Sequence, residues 1–404
     1  LVTKLLNDIE SHGNTLTTGI IGTKYLMLVL SDIGRTDVAL KIAESLAYPG
    51  WVWETVQSLE TKATTLWELW DAPKEGPGMN SRNHIMFGSI GHWYYRNLAG
   101  ITQPSSIETS RGWSTPIISP PGVNVLLSSD LTRTSAVINT NIGVLASEWN
   151  RNGGQRCVRG SLMQETTVSC GTGGGHIIDV SFADVGSISG DCDDGFKSDA
   201  SCTNPELLTN LRNACIGKDS CTVPAQRGVS NCGGKTQHLA IVAECSAVQS
   251  FEMKVILPVT SIGEIHVSTL NLKNIVIKEG NTTVWENGAY VSGDPGLESG
   301  VLNGGEVVFK AGSGTYAFLV TGTEPTEKHH ITKYGSPTSL DCGEDKIKFI
   351  KKIKFGKCSH SARHIIEEAC LHKTKCTVKV SRQNLGEECA PKGNEELEIL
   401  YHCA

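Results

Sequence analysis

All 14 cysteines of this 404-residue chain lie between Cys157 and Cys403, and the first 156 residues have none. This distribution divides the chain before any secondary structure is considered. There is no C-x-x-C and no paired Cys/His spacing of a zinc site, so neither a metal nor another cofactor is expected. A disulfide framework formed in an oxidising compartment is the better reading. The number of possible pairings leaves its connectivity open at this point.

The cysteines also repeat. Ala214-Cys215-Ile216-Gly217-Lys218-Asp219-Ser220-Cys221-Thr222-Val223 matches Ala369-Cys370-Leu371-His372-Lys373-Thr374-Lys375-Cys376-Thr377-Val378 at a constant offset. Each copy closes with an alternating strand that ends in a cysteine, residues 239–245 and 397–403. A pattern this specific, met twice, marks a duplicated disulfide module. The first copy, Cys157 to Cys245, has eight cysteines; the second, Cys342 to Cys403, has six.

The cysteine-free part has another rhythm. Val2, Leu5, Leu6 and Ile9 mark one apolar helical face before Gly13. Residues 25–33 and 38–46 give two more helices, and residues 84–98 a fourth that ends at Gly100. Beyond residue 100, Pro104, Pro116, Pro120 and Pro121 break the helical pattern. Val123, Val125 and Leu127 alternate, as do Ala136, Ile138 and Thr140, then Ile142, Val144 and Ala146 up to Trp149. That alternation predicts antiparallel strands with one buried face. It stops at residues 150–154 and resumes at 251–255, 262–267, 274–278 and 314–318. One β-sandwich interrupted at a hairpin tip accounts for the gap, because insertions are tolerated there. The expected layout is multidomain α + β. Helices occupy 1–100 and a split β-sandwich 101–154 and 248–325. One disulfide module is inserted over 155–247, and a second follows over 335–404.

One stretch of the helical part carries chemistry. Trp67-Glu68-Leu69-Trp70-Asp71 sets a carboxylate between two indoles, and after a Gly/Pro loop Asn83-His84 opens an amphipathic helix. An indole face covers the C–H face of a pyranose, while a carboxylate takes hydroxyls or activates a water. A buried helix end with one satisfied glutamate reads equally well from composition. Farther along, Lys346, Lys348, Lys352 and Lys354 share one strand parity, with Lys351, Ile347, Phe349, Ile353 and Phe355 on the other. They predict a row of ammonium groups on one face. Such a row protects a sheet edge or docks an acidic polysaccharide. The Gly-rich run 171–175 lacks a following Lys-Ser/Thr and is no phosphate loop.

The net charge of −6 argues against a nucleic-acid partner. The longest uninterrupted apolar run of the helical part, residues 25–30, is far too short for a membrane span. Asn281-Thr282-Thr283 is an N-glycosylation sequon, which fits a secreted, extracellular chain. No signal peptide precedes these residues, so the sequence is expected to be a processed or partial C-terminal portion of a longer protein.

Residues 63–71 and 78–84, ATTLWELWD followed by GMNSRNH, resemble the (α/α)6-barrel α-L-rhamnosidases of glycoside hydrolase family 78. The helices upstream resemble those that precede this motif in the family, so the likeness covers about the first 100 residues. It implies the C-terminal helices of such a barrel. Four or five helices cannot close twelve, so the rest is expected from a missing N-terminal part or from another chain. It also implies an inverting hydrolase acting on rhamnose-containing glycans, with Glu68 as general base. His84, Trp51 and Trp67 would contact the sugar, and Trp70 would pack. Leu69 stands where the family has a basic residue. The general acid lies in a carboxylate-rich stretch upstream that has no counterpart here. The alternative is a non-catalytic glycan-binding or structural protein that reuses the hydrolase scaffold.

The duplicated module resembles the egg-lectin, or rhamnose/galactose-binding lectin, domain. That resemblance implies the pairs Cys157 with Cys192, Cys170 with Cys245, Cys202 with Cys232 and Cys215 with Cys221. For the second copy it implies Cys342 with Cys403, Cys358 with Cys389 and Cys370 with Cys376. Such lectins hold sugar through a Y-G loop, a D-P-C turn and a lysine before the last strand. The first copy has Val185-Gly186, Ser230-Asn231-Cys232 and Gln237-His238 there. The second has Phe355-Gly356, Glu387-Glu388-Cys389 and Glu395-Glu396. Both depart at most contact positions, which favours a disulfide-stapled spacer or assembly module.

Overall fold

The computed structural model describes residues 1–57, 63–72, 74, 80–103, 112–129, 131–171, 174–192, 195–230, 232–246, 249–355, 358–381, 385 and 396–404. It separates into two compact units. One is Leu1–Tyr94 with Pro325–Ala404, and the other is Tyr95–Glu324. The molecule is mostly β with a few helices, and no barrel closes among the described residues. No helix among them is long and apolar enough to cross a membrane.

In the first unit, helix Val2–Ser11 buries Leu6 and Ile9 and stops before Gly13, whose φ is +72°. Helices Ile20–Asp32 and Thr36–Ala43 follow. The first of these buries Met27 and Leu30 but leaves Ile21, Tyr25 and Val29 exposed by 68%, 60% and 45%. Those three are spaced four apart, so a second apolar stripe of one helix lies open. The helix predicted over 84–98 is a continuous but irregular run: a 3-10 turn Ile85–Gly88, an α-helix Ser89–Trp93 and a π-turn Tyr94–Leu98.

The C-terminal module belongs to this unit. Its helix Ser359–Cys370 packs on helix Val2–Ser11. The Glu10 carboxylate accepts the N–H groups of Ser359 at 2.9 Å and His360 at 3.1 Å, capping that helix from the far end of the sequence. Arg35 holds Asp37 through two hydrogen bonds of 2.9 and 2.8 Å and donates to the His360 carbonyl at 2.9 Å. Burial alone would raise the Asp37 carboxyl, but Arg35 outweighs it and keeps Asp37 ionised well below the usual carboxylate range. Burial, with Lys41 and Arg35 adding to it, holds the 6%-exposed His360 ring neutral. The helical segment and the C-terminal module, which lie at opposite ends of the sequence, thus pack into one compact unit. Contacts of this separation leave no local trace in the sequence.

The second unit is built on one sheet, ten-stranded among the described residues. Its two long strands, Ser250–Ser268 and Glu306–Thr323, pair antiparallel with a break in register between Leu257 and Ile262. Pro258, which has no N–H to give the ladder, lies within that break. A hydrogen-bonded path thus runs through what alternation alone reads as a sandwich. Trp149, Phe251, Phe309 and Phe318 fill the core. Residues 123–128 are a helix, Val123–Ser128, and not a strand; the adjacent residues Val125 and Leu126 are both fully buried, where alternation expects one of the two to face out. In strand Gly143–Asn152 the buried face is Leu145, Ser147, Trp149 and Arg151, opposite in parity to the predicted Val144 and Ala146. Trp149 decides the face, because its indole N–H donates to the Leu98 carbonyl at 2.7 Å and Ser147 Oγ donates to Ala99 at 2.7 Å.

The inserted module has a three-stranded sheet in the order Gln155–Gly160, His238–Cys245, Ile177–Gly186. Beside it lie the pair Thr166–Ser169 with Ser220–Val223 and helix Leu207–Cys215. The C-terminal module repeats this plan with Thr326–Lys333, Glu396–Cys403 and Ile347–Lys354, the pair Pro337–Asp341 with Lys375–Lys379, and its own helix. Six disulfides are formed among the described residues: Cys157–Cys192, Cys170–Cys245, Cys202–Cys232, Cys215–Cys221, Cys342–Cys403 and Cys370–Cys376. Cys389 lies outside the described residues.

The lysine row does not form as alternation predicts. Strand Ile347–Lys354 begins after Lys346 and shifts register twice against Glu396–Cys403, once on each side of the buried neighbours Phe349 and Ile350. Each shift moves the following side chains to the other face. Lys351, which shares the parity of the apolar residues, lies at the second register shift and pairs with Glu327 at 2.6 Å.

Candidate functional site

The stretch around Glu68 is a short two-segment clamp. Glu68 N–H donates to the Ser81 carbonyl at 2.8 Å and His84 N–H to the Leu66 carbonyl at 2.8 Å, so residues 66–68 and 81–84 run side by side. The Ser81 N–H donates to Glu68 Oε2 at 2.7 Å. His84 Nδ1 lies 3.9 Å from the same oxygen. The two side chains are 30% and 29% exposed. A backbone donor thus fixes one oxygen of a carboxylate that is open to solvent and faced by an imidazole. That arrangement suits a group that takes a proton from water.

The indoles lie behind it. Trp51, Trp67 and Trp70 are 7%, 3% and 7% exposed. Trp51 and Trp70 meet edge-on at 5.4 Å, and Trp70 stacks on Phe87 at 3.7 Å. Their N–H groups donate to the carbonyls of Phe87 and Thr18. The Arg82 guanidinium lies 6.0 Å over the Trp67 ring. Glu68 and His84 are therefore brought together, while little of Trp51 or Trp67 is open in this chain.

Glu54 is a buried acid that sequence reasoning passes over. It is fully buried; Oε1 accepts the Trp67 N–H at 3.0 Å, and Oε2 has no partner among the described residues. Burial pushes its carboxyl up to about 7, against the opposing pull of that N–H. The available signal is a glutamate inside the apolar run Trp51-Val52-Trp53-Glu54-Thr55-Val56.

In the inserted module, three of the positions where lectins of the resembling type hold sugar, Val185, Gln237 and His238, are used internally, Ser230 is exposed, and Asn231 lies outside the described residues. Val185 is fully buried. Gln237 bridges Val229, accepting its N–H at 2.7 Å and donating to its carbonyl at 3.1 Å. His238 is 5% exposed, and burial with the nearby Arg159 pushes it down to about 4. Gly186 is required by close approach, since a Cβ there would lie 1.9 Å from the Cys202 carbonyl oxygen. In the C-terminal module, residues 356, 387–389 and 395 lie outside the described residues.

Comparison with known proteins bears on both regions. Residues 1–98 match the family model of the bacterial alpha-L-rhamnosidase 6 hairpin glycosidase domain. Residues 168–245 match that of the D-galactoside/L-rhamnose binding SUEL lectin domain. The chain is similar to an alpha-L-rhamnosidase of Formosa agariphila, 34% identical over 151 residues, which is 36% of this chain and 15% of that protein. An alpha-L-rhamnosidase of Streptomyces avermitilis is 32% identical over 170 residues, 41% of this chain and 15% of that protein. Among solved structures, alpha-L-rhamnosidase from Dictyoglumus thermophilum aligns with 79% of this chain and 23% of its own, at 24% identity and a TM-score of 0.45. The chain spans about 15% of the length of these curated relatives. It is rhamnosidase-like in its helical segment and carries a lectin domain.

Proposed function

We propose that the chain forms the general-base half of an extracellular, inverting α-L-rhamnosidase-like glycoside hydrolase acting on rhamnose-containing glycans. The observation that carries this reading is the Glu68 carboxylate, held by the Ser81 N–H at 2.7 Å and faced by His84 at 3.9 Å within the rhamnosidase-type segment. Glu68 takes a proton from a water whose oxygen attacks the anomeric carbon. The glycosidic C–O bond breaks on the opposite face, and the leaving oxygen receives its proton from an acid outside this chain. His84 binds a sugar hydroxyl, and Trp51 and Trp67 form the wall behind the carboxylate. The exposed stripe of Ile21, Tyr25 and Val29 supports further barrel helices packing there. The six disulfides fit an oxidising compartment, and the sequon residue Asn281 is exposed at a tight turn.

The test is Glu68→Gln in the complete assembly with an aryl α-L-rhamnoside. Turnover is expected to fall about 10²–10⁴-fold with sugar binding retained. Near-normal turnover of the variant would remove the assignment.

A further inference from the structure

The inserted module leaves the sheet at a cleft of about 570 Å³ whose lining is almost wholly polar. Its floor is the outer face of three strands. Arg133, Asn150 and Glu252 stand in one row across Arg133–Thr140, Gly143–Asn152 and Ser250–Ser268, and Glu148 and Lys254 stand in the next. Its wall is the inserted module, through Arg156, Ser169 and Gly171. Among the described residues no aromatic or aliphatic side chain lines it, so an apolar ligand has little to bury against.

Three features point to an anion that also carries hydroxyls. The Arg156 guanidinium is 3% exposed, yet it donates only to the carbonyls of Ser169 at 2.6 Å and Arg151 at 2.8 Å, with no carboxylate beside it among the described residues. Burial lowers its pKa to about 10, the mark of a cation without a counter-charge. The second feature is Asn152, 2% exposed on the cleft wall, whose Nδ2 has no partner among the described residues. The amide is pinned there: its Oδ1 lies where a Cβ on Gly171 would approach to 2.2 Å, so only glycine lets the module come this close. The third is the balance of charge. Arg133, Arg156 and Lys254 face Glu148 and Glu252 in a chain that is acidic as a whole. Arg133 and Glu148 cancel at 2.9 Å, while Lys254 is exposed and makes no ion pair with a described residue.

We propose that this junction cleft binds an anionic saccharide. Arg156 and Lys254 take a carboxylate or sulfate group, and the Asn152 and Asn150 amides take ring hydroxyls. Guanidinium and carboxylate match in planar, charge-assisted geometry, and side-chain amides read hydroxyls. The site shares no residue with the Glu68 clamp or with the lectin-type positions Val185, Gln237 and His238, so it would hold an acidic glycan chain at the root of the insertion.

Calorimetric titration of the full chain tests it with four probes: an oligouronate, a sulfated oligosaccharide, a neutral rhamno-oligosaccharide and inorganic sulfate. At least one anionic oligosaccharide is expected to bind at low salt, and which one identifies the anion. Affinity should fall about tenfold on raising salt from about 50 to about 300 mM, since a partly exposed site is screened. Lys254→Glu and Asn152→Asp should each weaken binding by about tenfold, because each sets a negative charge against the anion. Lys254 is exposed, so its variant keeps the test informative if Asn152→Asp fails to fold. The proposal is overturned if neither anionic oligosaccharide binds, if the neutral one or sulfate alone binds as tightly, or if the natively folded Lys254→Glu protein binds like the parent.

Discussion

The two disulfide modules share one plan and are anchored in opposite ways. The inserted module is held by backbone. Strand Gly143–Asn152 runs into Gln155–Gly160 through Gly153 and Gly154, whose φ values are +69° and +64°. The Gly153 N–H donates to the Cys170 carbonyl at 2.9 Å and the Cys245 N–H to that of Gly154 at 3.0 Å. The C-terminal module is held by side chains. Glu10, Arg35 and Asn14 reach the start of its helix, and Asn7 donates to the Leu385 carbonyl. A covalent double crossing needs only close approach, which glycines give. A module joined by a single crossing must win its position with paired, desolvated charges, and the comparison predicts how each attachment breaks.

The largest effect is expected at Arg35. Arg35→Ala strands Asp37 and removes the donor to His360, and it should destabilise the first unit by about 3–5 kcal/mol. Hydrogen exchange resolved by mass spectrometry should show helix Ser359–Cys370 losing protection while the inserted module keeps its own. Equal loss in both would erase the contrast. Next comes Gly174→Ala, where the added Cβ would sit 1.7 Å from the Cys170 carbonyl oxygen. That overlap with backbone should cost about 2–3 kcal/mol, confined to the second unit. Unchanged protection of Ile177–Gly186 would count against a backbone anchor.

The modules should respond alike to acid, through different residues. His238 and His360 both have folded-state pKa values below the usual 6.5. Each is neutral in the fold and protonates more readily in the unfolded chain, so its stabilisation is present above that range and lost as pH falls below it. For His238 the loss runs from pH 6.5 to about 4 and amounts to ~1–3 kcal/mol. Glu54 has the opposite sign: its raised pKa gives stability that is full below 4.5 and lost as pH rises through about 7. Thermal melts of Glu54→Gln should therefore gain on the parent above pH 7 and match it near pH 4. A uniform gain at every pH would contradict the linkage. The smallest effect is Glu10→Gln, which keeps the shape of the cap and loses its charge. About 0.5–1 kcal/mol is expected, seen only in helix Ser359–Cys370.

Much of the site was legible because its signals are local. Glu68 and His84 lie 16 positions apart on segments joined by one loop, and Trp67-Glu68 is a spacing that a reader can see. Glu54 was not legible, since its role depends on burial under Trp67, and burial is a property of the packed whole.

The sequence alone shows the cysteines confined to Cys157 and beyond, the duplicated module, the helical start and the neighbourhood of the carboxylate. Each of these is written in periodicity or in spacing over a few turns of chain. That the last 80 residues pack on the first 94 is visible only in the folded chain, because the Arg35–His360 contact joins residues 325 positions apart. The tertiary structure also decided which parity of strand Gly143–Asn152 is buried, where Ile347–Lys354 slips register, and that residues 123–128 coil. Alternation states that a strand has two faces. Which face goes in is settled by the partner that meets it, and that partner is often far away in the chain.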